Sequence, residues 1–176
     1  MEENQKIPMR SQVKKEDTWA IEDMYATVED WEKDFAAAKK VAEEAAEYAG
    51  RLGESAQALY DWSVLTEKLD CMLSEIYGYA SRVKDQDTAD AAGQTLSARA
   101  MGLYVECSGL ISFADPEILS IPEEKLEAFY AEKPELLKYR RSINEVRRCK
   151  DHILSPELEK ILADAGAVSY THLRAH

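Results

Sequence analysis

Glycine and proline are scarce, at seven and five of 176 residues, so the two residue types that break helices and build tight turns are largely missing. Runs of Val, Ile and Thr are scarce too, and no parallel sheet is readable without them. No stretch approaches the ~20 apolar residues of a membrane span. Met1 to Lys15 alternates charged and polar residues where an export leader would carry an apolar segment. The sequence therefore reads as a soluble protein that stays in the cytoplasm, with no membrane partner. Cations are in deficit, 22 Lys and Arg against 34 Asp and Glu, for a net charge of −12. Nucleic acid is excluded as a partner, because Lys and Arg displacing counterions drive such complexes. Cys71, Cys107 and Cys149 are odd in number and lack C-x-x-C spacing, which fits neither a disulfide framework nor a zinc knuckle. They are expected to be small buried hydrophobes in a reducing compartment, with Cys71 and Cys107 inside apolar helical patterns.

Catalytic signatures are missing as well. There is no H-E-x-x-H, G-x-S-x-G, phosphate loop or dinucleotide fingerprint. Of three histidines only His152 precedes the last nine residues, and zinc needs three or four ligands. No catalytic, metal-binding or cofactor-binding residue is assigned, so the chain reads as a wall or scaffold for chemistry located elsewhere.

What is present is Ala, Glu, Lys and Leu, which lose little on entering a helix, and the expected fold is all-α. Residues 1–18 are expected to form an extended arm, anchored by Trp19, Ile21, Met24 and Tyr25. Thr27 is a plausible N-cap, with Glu29, Asp30 and Glu32 at the positive end of the dipole. The helix it opens is expected to span about Val28 to Leu52, with Trp31, Phe35, Ala38, Ala42, Ala45 and Ala49 on one face and Gly50 and Gly53 at its end. Ser55 caps a second helix whose stripe of Leu59, Trp62, Leu65, Leu69, Met72, Ile76, Tyr79 and Val83 keeps helical spacing. Asp87 or Thr88 is expected to cap a third, reaching about Phe113 with Leu96, Ala100, Leu103, Cys107, Leu110 and Ile111 inward. Short connections favour an antiparallel bundle of these three long helices over residues 19–114.

From Asp115 the texture changes, and several shorter helices are expected over residues 115–167: Pro116 to Ser120, Pro122 to Ala131, Pro134 to Cys149 and Pro156 to Ala165. Each proline sits where a helix starts or the chain turns. Glu43, Glu44, Glu47, Glu123 and Glu124 read as solvated faces. Asp85, Asp87 and Asp90 resemble half a calcium loop, but its glycine and closing glutamate are missing, and a capped loop accounts for them better. The one basic cluster is Arg140, Arg141, Arg147 and Arg148 with Lys150. Intramolecular ion pairs, contact with an acidic partner domain, and capture of a substrate carboxylate compete as its role.

Several stretches, taken in order, resemble the N-terminal part of the oligoendopeptidase F family, zinc metallopeptidases related to thimet oligopeptidase. Met9-Arg10-Ser11 followed by Trp19 to Tyr25 looks like the family's opening arm and anchor. Trp31-Glu32, Arg51-Leu52-Gly53-Glu54-Ser55, Ile76-Tyr77-Gly78-Tyr79-Ala80 and Asp85-Gln86-Asp87-Thr88 follow. Phe113, Pro116-Glu117, Ile121 to Leu126 and His152-Ile153-Leu154-Ser155 extend the likeness over residues 7–165. Ala20 departs from it, where the family often has Asp.

The resemblance implies a helical side of a deep channel that admits short oligopeptides. It also implies a separate C-terminal catalytic domain, where an H-E-x-x-H helix and a downstream Glu hold zinc; those residues have no counterparts here. The parent protein would be a bacterial, cytoplasmic enzyme, and this chain its non-catalytic fragment. A self-contained helical interaction module is the alternative, and a coiled-coil protein fits less well because caps and prolines interrupt the stripes. Residues 168–176 break the helical pattern and resemble one reading frame of a transposon sequencing adapter, so the native sequence is expected to run to about Ala167. A native amphipathic tail is the rival reading.

Overall fold

A computed structural model describes residues 10–150 and positions 158, 160–162 and 165. Within residues 10–150, six α-helices follow in order: α1 (Val28–Ala46), α2 (Ala56–Gln86), α3 (Ala91–Ile111), α4 (Ala114–Ser120), α5 (Glu123–Glu132) and α6 (Arg140–Arg148). Short 3₁₀ turns cover Arg10–Gln12, Lys15–Asp17, Ile21–Asp23 and Pro134–Tyr139. The described residues contain no strand, and the fold is all-α as expected. Before α1 the chain winds through three of these turns, and Arg10 donates to the Gln86 amide oxygen at 2.9 Å.

Helix starts follow the local chemistry. The Thr27 hydroxyl accepts from the Asp30 N–H at 3.2 Å, and the Ser55 hydroxyl from the Ala58 N–H at 3.1 Å, each satisfying a donor that has no partner within its helix. α3 corrects the expected cap. Its capping residue is Asp90, whose carboxylate accepts from Ala92 and Gly93 at 3.2 and 3.0 Å. Asp87 instead closes the preceding turn by accepting from Ala89 at 3.0 Å.

The three long helices alternate in direction. The Trp31 indole, early in α1, donates to the Ile76 carbonyl, late in α2, at 3.0 Å, so α1 and α2 are antiparallel. A Cβ on Gly93 would lie 3.1 Å from Lys84 Cα, so α3 folds back on α2 with backbones nearly touching at the hairpin. Arg99 pairs with Glu32, and Lys39 with Glu106 at 2.6 Å, which makes α1 and α3 parallel. Trp31, Ala38, Ala42, Leu69, Ile76, Ala80, Ala100 and Cys107 form the core between them. The small residues let the helices approach closely.

A second core gathers Leu52, Ala56 and Leu59 with Ala114, Ile118, Ile121, Leu126, Phe129, Leu136 and Ile143. α2, with 31 residues and so about 46 Å long, contributes to both cores and ties them together. This explains where α1 ends. The expected helix to Leu52 stops at Ala46, and successive i to i−3 hydrogen bonds and the left-handed Gly50 (φ 81°) swing Leu52 into the second core. Ala49, expected on the apolar face, is therefore exposed.

The expected helix from Pro134 to Cys149 is also divided. Its first six residues are 3₁₀, with Leu136 buried and Leu137 exposed, and only from Arg140 does it become α-helical. Cys107 is buried as expected, but Cys71 and Cys149 are exposed. Cys71 lies about 200° around the helix from Leu69, the far side of the buried face. Most of the expected helix from Pro156 to Ala165, His152 and the 168–176 tail lie outside the described residues.

Candidate functional site

Between the first half of α2, the second half of α3 and the short helices lies a groove of about 810 Å³. Its apolar floor comes from Trp62, Ile118, Ile143 and Val146, and its rim from Glu67, Asp70, Cys71, Tyr104 and Tyr139. Among the described residues that line it there is no Lys, Arg or His. Most of its hydroxyls are already engaged: Ser63, Thr66, Ser112 and Ser142 donate to carbonyls one turn back at 2.7, 3.1, 2.9 and 2.8 Å. They stay within their own helices.

The two acids on α2 differ in setting. Glu67 accepts from Lys138 at 2.6 Å and from the Tyr139 hydroxyl at 2.7 Å, and these hydrogen bonds hold its carboxyl below the usual range. Asp70 has its carboxyl pushed up, because the surrounding protein withdraws water from a residue whose outer surface is still exposed. The Trp62 indole N–H is buried and finds no acceptor, while Tyr104 is half exposed.

Of the roles open to the arginine cluster, intramolecular pairing is the one visible among the described residues. Arg140 pairs with Glu127 at 2.7 Å and covers the Tyr130 ring. Arg147 donates to the Ile121 carbonyl at 2.8 Å, tying α6 to the end of α4. Arg148 pairs with Glu145 on its own helix, and Arg141 is exposed. Three of the four are thus engaged within the fold. Of the possible calcium acids, Asp87 and Asp90 are turned to backbone N–H groups.

Sequence reasoning missed Glu117 on α4, whose carboxylate lies against the chain reversal after α1. Backbone N–H groups of Leu52 and Gly50 favour its charge, but burial outweighs them and pushes its carboxyl up. One of its oxygens is buried without a partner. No helical period marks such a residue, since its partners Leu52 and Gly50 lie 65 and 67 positions away.

Residues 117–172 match the family model described as Oligopeptidase F. Oligopeptidase PepF of Bacillus subtilis is 39% identical over 162 residues, 92% of this chain. The chain belongs to the oligoendopeptidase F family. Group B oligopeptidase PepB of Streptococcus agalactiae is 32% identical over 90% of the chain. The crystal structure of oligoendopeptidase-F from Enterococcus faecium superposes with a TM-score of 0.73 over 81% of the chain, at 27% identity. The chain covers 24%, 26% and 28% of these three proteins, about a quarter of each, and fits an N-terminal part of an oligoendopeptidase F with the remaining domain C-terminal to it. Among the described residues no helix is long and apolar enough to cross a membrane.

Proposed function

We propose that this chain forms one helical wall of the substrate channel of a zinc-dependent, cytoplasmic oligoendopeptidase, whose bond-breaking groups lie in polypeptide C-terminal to it. The parent protein would cleave internal bonds of short peptides in a bacterial cell. The observation that carries this reading is identity of 39% along 92% of the chain to a relative of which the chain is only 24%. A wall of packed helices suits the role, because a rigid rim admits a flexible peptide and excludes a folded domain. Zinc does not fit the residues at hand: among those described, no three His, Cys, Asp or Glu side chains converge to hold a metal ion. No chemical step is therefore assigned to this chain.

Sequencing the source gene across codon 167 tests the reading. An open frame continuing to an H-E-x-x-H is the expected result, and a stop codon directly after Ala167 would overturn it. The same experiment decides whether residues 168–176 are native. On its own, the purified chain is expected to leave internally quenched peptides uncut, and chelator-sensitive cleavage by the chain would contradict the assignment.

A further inference from the structure

The groove described above has an apolar floor, an acidic rim and, among the described residues that line it, no cation. With four of its hydroxyls bound to their own helices, few polar groups remain to meet a ligand. Chief among them are the Asp70 carboxylate, the Tyr104 hydroxyl and the Trp62 N–H, an orphaned donor in the groove wall. Glu67 is already neutralised by Lys138 and Asp115 is engaged as well, which leaves Asp70 as the lining acid without a cation among the described residues. Tyr104 and Leu162, both about half exposed, add apolar surface at the opening. Such a lining matches an apolar side chain flanked by Lys or Arg.

Position selects the source. Ile143 and Val146 of α6 line the floor and Leu162 the opening, so polypeptide continuing beyond α6 and Leu162 is tethered beside the opening. Tethering gives it an effective concentration that a free peptide must match in bulk. The relatives carry about three-quarters of their length outside the region this chain covers. Resting on the family reading above, we infer that the groove between α2, α3 and α6 is the seat of a segment from the C-terminal remainder. That segment places an apolar residue on the Trp62–Ile118–Val146 floor and a Lys or Arg against Asp70. The groove is then an internal joint, and the substrate surface lies elsewhere on the wall.

Two exposed thiols make the test internal. Cys71 lines the groove, Cys149 does not, and both are free. Alkylation of each is timed in the isolated chain and in a fusion where the chain replaces the matched quarter of the Bacillus subtilis relative. In the fusion Cys71 is expected to react at least tenfold more slowly and Cys149 at an unchanged rate, with Asp70→Lys restoring Cys71 reactivity. Should the fusion be insoluble, co-expression of the two pieces reads the same ratio. Equal reactivity of Cys71 in an active fusion would overturn the inference and leave the family reading intact. A soluble, inactive fusion with Cys71 unprotected would overturn both. Protection of Cys71 in the isolated chain by a short basic peptide alone would assign the groove to substrate and overturn the inference.

Discussion

Trp31 is the residue whose replacement tests the packing most sharply. It has no exposed surface, its indole donates to the Ile76 carbonyl at 3.0 Å, and its ring meets Phe35 at 5.0 Å and the Arg99 guanidinium at 5.2 Å. Trp31→Phe removes the hydrogen bond, worth ~1 kcal/mol net. The Ile76 carbonyl keeps its helical acceptor role towards Ala80, so no further desolvation penalty arises. The smaller ring also leaves a void beneath Arg99, and lost transfer energy with the cavity adds about 1–3 kcal/mol. A total of about 2–4 kcal/mol is expected from these two contributions. Urea unfolding followed by far-ultraviolet circular dichroism would read it as a midpoint lowered by about 1–2 M at an unchanged slope. Trp31→Ala should cost more, ~3–5 kcal/mol. A Trp31→Phe variant within ~0.5 kcal/mol of the parent, the range of ordinary surface substitutions, would refute the placement of Trp31 at the centre of the bundle.

Further outcomes follow from single contacts. Asp90→Ala removes the acceptor for two α3 donors and should lower stability by ~1 kcal/mol, whereas Thr88→Ala should change little; the reverse order would place the cap at Thr88. Gly93→Ala presses a methyl group onto the Lys84 backbone at 3.1 Å and should cost about 1–3 kcal/mol, seen as a lowered melting temperature with the helical signal retained. Glu117 has a folded-state pKa above its unfolded one, so the stability it contributes is complete below the ordinary Glu range and is lost as pH rises through the folded value. Glu117→Gln should therefore melt at or above the parent at pH 7 and lose that advantage near pH 4; a Gln variant that is worse only at pH 7 would reverse the sign.

Helix identity was legible because it depends on neighbours within four positions. Thr27 and Ser55 precede clean periodic runs, and both cap the helices expected of them. Asp90 was less legible, since Asp85, Asp87 and Asp90 fall within one polar stretch of the sequence and only the hairpin geometry selects among them. The reversal after Ala46 was hidden for a different reason: Tyr48 and Ala49 favour a helix locally, yet Leu52 must reach a core built largely from residues after 113. The arginines read as one cluster because helical spacing alone cannot see Glu127 or the Ile121 carbonyl. The groove was not legible at all. Asp70, Cys71 and Tyr104 lie outside the buried faces of their helices, and nothing local records that α6 will come to stand opposite them.

The proposed role of the chain as an N-terminal wall of an oligoendopeptidase is tested most directly by the fusion to the remainder of the Bacillus subtilis relative, assayed on an internally quenched short peptide. Chelator-sensitive cleavage by the fusion, with none by the chain or the remainder separately, is the predicted result. Full activity of the remainder alone, unchanged when this chain is added, would contradict it.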